Sequence, residues 1–319
     1  MIGKEEYVHR MEQLQAAVGA HGLDLFLVSA EASIYYLTGV VYVPLERPFF
    51  ILVPPAGAAT LLVPALEQEH LATAPNVGQV CHYWDYPSPP GEGWPEQLLD
   101  RLGDVRTLGV EPSLPQEIAG VLRGMAPRTL PLVETLRLVK SPAEVEMLRR
   151  AAHYADLGVT KILAASYHGV SEIELFSLGR SVQMEIIKHT TFDPLTTSIL
   201  TAAWPAPASA MPHSVPGVAD RLGDGPHIAL SFMRVNGYGA ECERTYFLAP
   251  PTAEMREMFA TMREARRRAF DLLRPGVACA EVDEAANGFL RAEGLGPYLL
   301  HRTGHGFGLG NHEGPWVAA

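Results

Sequence analysis

Two stretches of this chain are written in one grammar, and a chain so built is constrained to fold as paired, related units. Residues 167–184 read YHGVSEIELFSLGRSVQM, and residues 274–294 read RPGVACAEVDEAANGFLRAEG. Each joins the end of a helix to a Gly-Val turn, a helix start carrying Asp or Glu, and a second amphipathic helix. The first copy then enters strand-like sequence: TTSILTAAW at 196–204, HIALSFMRV at 227–235 and ERTYFLA at 243–249. The second copy reaches LLHRTGHGFG at 299–308, close to Ala319. Helix-plus-strand units repeated in this way are expected to share one site.

Ahead of the repeat the pattern is that of a separate α/β layer. Apolar residues Tyr7, Val8, Met11, Leu14 and Val18 recur at helical spacing over 5–21. GLDLFLVSA then predicts a buried strand, and SIYYLTG a segment closed by a turn glycine. FFILVPPAG and ATLLVP predict a strand pair about Pro54–Gly57, with further strands at Val80–Tyr83 and Thr107–Val110. Ser141-Pro142-Ala143-Glu144 has the pattern of a capping box with proline at the first helical position. A small mixed α/β domain over 1–135 and a second domain over 136–319 are therefore expected, an α/β (α+β) chain of 319 residues in all.

Composition removes several classes of function. The net charge of −11 opposes nucleic acid as the main partner. The one basic cluster, Arg263 with Arg266, Arg267 and Arg268, reads as a solvated helix face. No apolar run is long enough to span a bilayer, and the N-terminus lacks a signal core, so no membrane role and a cytoplasmic location are expected. Cys81, Cys242 and Cys279 are too scattered for a disulfide framework or a zinc site. Phosphate-loop, nucleophile-elbow and H-E-x-x-H patterns are absent, and the glycines of GHGFGLG do not have dinucleotide-fingerprint spacing.

The chemistry lies in three places. Glu241 and Glu243, two apart in the strand-like GAECERTYF, are expected on one face about 7 Å from each other. His305 sits among Gly304, Gly306 and Gly308, which permit close approach of backbone or substrate. His312 and Glu313 add two polar groups to the same segment. His213, in MPHSVPG, is a lone histidine beside a proline.

Taken in order, GLDLFLVSAEASIYYLTG, LRLVKSPAEVEMLRRAA, MPHSVPG, GYGAECERTYF and HRTGHGFGLGNHEGP resemble the creatinase, prolidase and aminopeptidase P family. The resemblance implies a small creatinase-type N-terminal domain and a pita-bread catalytic domain, here expected to lack its last strands. It also implies two divalent metals (Mn, Co or Zn) held by two Asp, one His and two Glu. His305 takes the place of the ligand histidine and Glu241 that of the second Asp. Leu230 or Ser231 stands where the first Asp belongs, and the two Glu ligands belong beyond His312. With Glu241 and His305 as the residual candidates, no tightly bound metal is expected.

Kinship then implies an Xaa-Pro dipeptidase (proline dipeptidase)-like hydrolase of C–N bonds, its activity impaired, with His213 and His312 positioning the substrate carbonyl. A metal-independent, creatinase-like amidinohydrolase is the alternative, with His213 as proton shuttle and Glu243 orienting a small nitrogen-rich substrate. A catalytically inactive paralogue serving as a binding or structural protein is the third reading. A small peptide or amidine-type molecule is the expected partner. A homodimer is expected to cover an open sheet edge and apolar surface.

Overall fold

The computed structural model describes residues 2–211, 214–215 and 217–319. The chain divides into two compact units, Met1–Ala143 and Glu144–Ala319.

In the first unit the chain runs α1 (Lys4–Ala20), β1 (Leu25–Val28), α2 (Glu31–Thr38), β2 (Phe50–Val53), β3 (Ala59–Pro64), α3 (Gln68–Leu71) and β4 (Val77–Tyr83). It continues through α4 (Trp94–Leu102), β5 (Leu108–Val110), α5 (Gln116–Val121), β6 (Arg128–Thr129) and α6 (Leu132–Leu138). The six strands form one mixed sheet in the order β4-β3-β2-β1-β5-β6. β1 and β2 read as unbroken apolar runs because both faces are covered; all their residues are buried. The SIYYLTG segment is helical and stops at Gly39, whose φ of 69° is left-handed and closes the helix. Arg10 is buried in α1, with its guanidinium 4.1 Å over the Tyr36 ring and a hydrogen bond donated to the Tyr36 carbonyl.

The second unit is built on the repeat. α7 (Pro142–Ala165) precedes the first Gly-Val turn and α10 (Ala253–Leu272) the second. Gly169 and Gly276 hold matching φ values of 92° and 91°, which only glycine adopts without strain. After the first turn come α8 (Glu172–Phe176) and α9 (Gly179–His189). After the second come α11 (Cys279–Asp283), one π-helical segment over Glu284–Gly288, and α12 (Phe289–Ala292). Ser171 begins α8, its hydroxyl and N–H both donating to the Glu174 carboxylate three residues on. In the second copy Ala278 keeps only the N–H bond to Glu281, because alanine has no hydroxyl.

β7 (Ser198–Trp204), β8 (His227–Val235) and β9 (Tyr238–Tyr246) form an antiparallel sheet with β9 at one edge, and β10 (Gly304–Gly306) pairs with β11 (Glu313–Val317). The β8–β9 hairpin turns on Asn236-Gly237, with φ of 50° and 84°, the left-handed pair a two-residue turn needs. One face of this hairpin packs Ala229, Met233, Val235 and Cys242 against Ala155, Val159 and Ile162 of α7. α7 comes close enough that a Cβ on Gly158 would lie 2.0 Å from the Ser231 hydroxyl oxygen. The buried Tyr238 hydroxyl donates to Glu144 near the start of α7 at 3.1 Å. Among the described residues, no helix is long and apolar enough to cross a membrane.

Candidate functional site

The face of the hairpin turned away from the core carries the site. Alternation along β9 buries Ala240 and Cys242 and exposes Glu241 and Glu243. Antiparallel register places Phe232 opposite Glu241 and Leu230 opposite Glu243, whereas Ser231 faces Cys242 on the core side. Of the two positions open for a first acidic ligand, Leu230 is therefore the one on the site face, and it is apolar. Ser231 is fully buried and turned toward Gly158.

The glycine–histidine segment reaches Glu241 through a backbone contact. The Gly239 N–H donates to the Gly308 carbonyl at 2.9 Å, fixing the segment beside the first residues of β9. The Arg234 guanidinium adds a hydrogen bond to the Asn311 side chain. Within the β10–β11 hairpin Gly306 permits a backbone contact that a side chain would not allow, and Gly308 lies against the Glu313 side chain. A Cβ on Gly306 would lie 2.3 Å from the Gly314 carbonyl oxygen, and one on Gly308 would lie 1.9 Å from the Glu313 carboxylate. That carboxylate accepts the Gly310 N–H at 3.0 Å and so shapes the turn ahead of His312.

This folding brings His305 and His312 together, with ring centroids 4.1 Å apart, and brings both to Glu241. One ligand atom from each of the three lies within 4.8 Å of the other two. His305 is half-buried, and its Nδ1 is 3.1 Å from the Gly306 carbonyl oxygen. A carbonyl only accepts, so Nδ1 is the donor in this contact. Glu241 and His312 are exposed.

Glu243 does not join this group. It lines a cavity of about 970 Å³ with Arg244, Phe247, Met255, Met258 and Phe259. His213 lies outside the described residues. Sequence reasoning kept Glu241 and His305 as residual metal candidates and gave His312 to the substrate; the structure sets all three side by side.

A dinuclear centre does not fit these residues. Two dications about 3.5 Å apart repel by on the order of 20 kcal/mol at an effective dielectric near 20, which bridging carboxylates must offset. Glu241 is the one carboxylate of the group, and the neighbouring strand offers Leu230 and Phe232.

A second polar centre, missed in the sequence, lies at Glu172. This carboxyl is 4% exposed, and both its oxygens accept the Ala203 N–H, at 3.0 and 2.8 Å. Burial, with a smaller push from the Asp220 carboxylate, raises its pKa to about 7 against the pull of the Ala203 N–H. Nothing in SEIE distinguishes it from a solvated glutamate at a helix start.

Residues 146–319 match metallopeptidase family M24, and residues 10–149 match the creatinase/prolidase N-terminal domain. The probable dipeptidase PepE of Mycobacterium tuberculosis is 28% identical, covering 99% of this chain and 83% of its own length. An Xaa-Pro dipeptidase of Lactobacillus delbrueckii is 27% identical over 97% of this chain and 84% of its own. The crystal structure of dipeptidase PepE from Mycobacterium ulcerans superposes with a TM-score of 0.81 at 26% identity, covering all of this chain and 85% of that one.

Proposed function

Since the chain belongs to metallopeptidase family M24 and carries a creatinase/prolidase N-terminal domain, we propose that it is an Xaa-Pro dipeptidase-like hydrolase of C–N bonds acting on small peptides. Its second unit has the pita-bread fold of the prolidases. The observation that carries the proposal is the meeting of Glu241, His305 and His312 on the open face of β8 and β9. An anionic oxygen and two imidazoles at one accessible point are the groups that bind and polarise a peptide carbonyl and its attacking water. The relatives named for dipeptide cleavage align over 97–99% of the chain, so the substrate class follows the whole fold rather than one motif.

The same reading includes a cytoplasmic homodimer. The exposed apolar side chains Met258, Phe259 and Met262 on α10 offer surface for such an interface.

Purified protein supplied with Zn²⁺, Co²⁺ or Mn²⁺ is to be assayed on Ala-Pro, Ala-Ala and creatine. Hydrolysis of Ala-Pro that falls about 100-fold or more in His305→Ala is expected. Cleavage of creatine alone, or no turnover above the His305→Ala background with any of the metals, overturns the proposal.

A further inference from the structure

We infer that Glu241, His305 and His312 form a mononuclear site of two histidines and one glutamate that takes a single zinc-class divalent ion. Ligation by His312 replaces the carbonyl-positioning role that the family resemblance gives it.

The donor set is the first argument. Two imidazoles with one carboxylate suit Zn²⁺ and its neighbours Co²⁺ and Fe²⁺, and leave a coordination position open, whereas Mg²⁺ and Ca²⁺ favour all-oxygen sites. Distance is the second. Bonds of about 2.0–2.2 Å at tetrahedral angles separate donors by roughly 3.3–3.5 Å. The three donor atoms already lie within 4.8 Å of one another, so side-chain torsions suffice to close on an ion.

The surroundings of the ligands are the third argument. The Gly306 carbonyl accepts a hydrogen bond from His305 Nδ1, the kind of backbone partner that orients a ligand histidine and leaves Nε2 as its ligating nitrogen. The Gly239–Gly308 bond ties the strand of Glu241 to the segment bearing both histidines. Gly306 packs directly against the backbone of Gly314. The ligands are thus placed by backbone rather than by their own long side chains.

Nuclearity follows from charge. Within this group only Glu241 is a carboxylate, so a second dication beside the first would lack a bridging carboxylate from β8 to offset their repulsion. Leu230 and Phe232, on the same face of β8, supply no oxygen to offset it. The site is scored without turnover. Inactive protein that binds one ion sinks the hydrolase reading alone, and active protein that binds two sinks this inference alone.

The test uses the full chain freed of metal by chelator and dialysis. It is titrated with Co²⁺ while the visible ligand-field bands are followed, then with Zn²⁺ by calorimetry. One ion per chain is expected, with intense bands of low coordination number. His305→Ala, His312→Ala and the gentler His312→Gln should each weaken Zn²⁺ binding about 100-fold, and the two His312 variants should leave the metal-free melting temperature unchanged because His312 is exposed. His301→Ala, an exposed histidine outside the group, should bind as wild type. Two ions per chain, wild-type affinity in both His312 variants, or no binding below about millimolar Zn²⁺ each overturn the inference.

Discussion

Replacing Glu172 by glutamine should stabilise the protein in a pH-dependent way. The carboxyl has a pKa of about 7 in the fold against an ordinary 4.5. Because the folded value is raised, the unfolded chain releases its proton first, and native stability declines as pH climbs from about 4.5 to 7. Integrating the two titrations gives a cost of about 0.8 kcal/mol at pH 5 and about 3.3 kcal/mol at pH 8 relative to a group that stays protonated. Glutamine does not titrate, yet it keeps an oxygen for the Ala203 N–H that Glu172 holds. The variant should therefore gain about 2.5 kcal/mol on wild type between pH 5 and pH 8. Urea unfolding of both proteins at the two pH values, following the transition of the second unit, measures this difference of differences. Every other titrating group cancels in it. A gap that is unchanged between the two pH values, or that favours wild type at pH 8, would refute the argument that burial governs this carboxyl.

Glycine substitutions separate positions that need the absence of a side chain from those that do not. Gly306→Ala places a Cβ 2.3 Å from backbone oxygen, while at Gly304 the nearest contact is Val317 at 3.7 Å. Gly306→Ala should lower the melting temperature and the Zn²⁺ affinity, and Gly304→Ala should change neither; equal behaviour contradicts the hairpin packing. Gly158→Ala presses on the Ser231 side chain, 2.0 and 2.8 Å away in the core. A loss of about 1–3 kcal/mol in denaturant unfolding is expected, and a gain would show that β8 can retreat from α7. Arg10→Lys keeps the charge but loses the planar stack on Tyr36, and should cost the first unit about 1–2 kcal/mol by the same assay. No change would mean that the buried guanidinium contributes packing that lysine supplies equally.

Periodicity made most elements legible, and the family motifs pointed to the segments of Glu241 and His305, because both are local in the chain. The helix of 5–21, the strand pair about Pro54–Gly57 and the three strands after the first repeat all correspond to elements of the fold. What escaped was set by register and by contacts between distant segments. Leu230 and Ser231 are equally spaced candidates in a string of letters, yet pairing on opposite faces makes only one of them relevant. The signal was present: Asn236-Gly237 fixes a two-residue turn, which pairs Val235 with Tyr238 and hence Leu230 with Glu243. The joining of His312 to Glu241 had no such signal, since it comes with contacts between distant segments, the Gly239–Gly308 backbone bond and the Arg234–Asn311 side-chain bond. Glu172 was hidden for a different reason, because burial is a property of the assembled core and not of SEIE.

Anomalous diffraction at the zinc edge, from crystals of the full chain grown with Zn²⁺, tests the central claim most directly. A single strong peak bonded to Glu241, His305 and His312 is the expected result. Two peaks a few ångströms apart, or a peak that leaves His312 unbound, would contradict it.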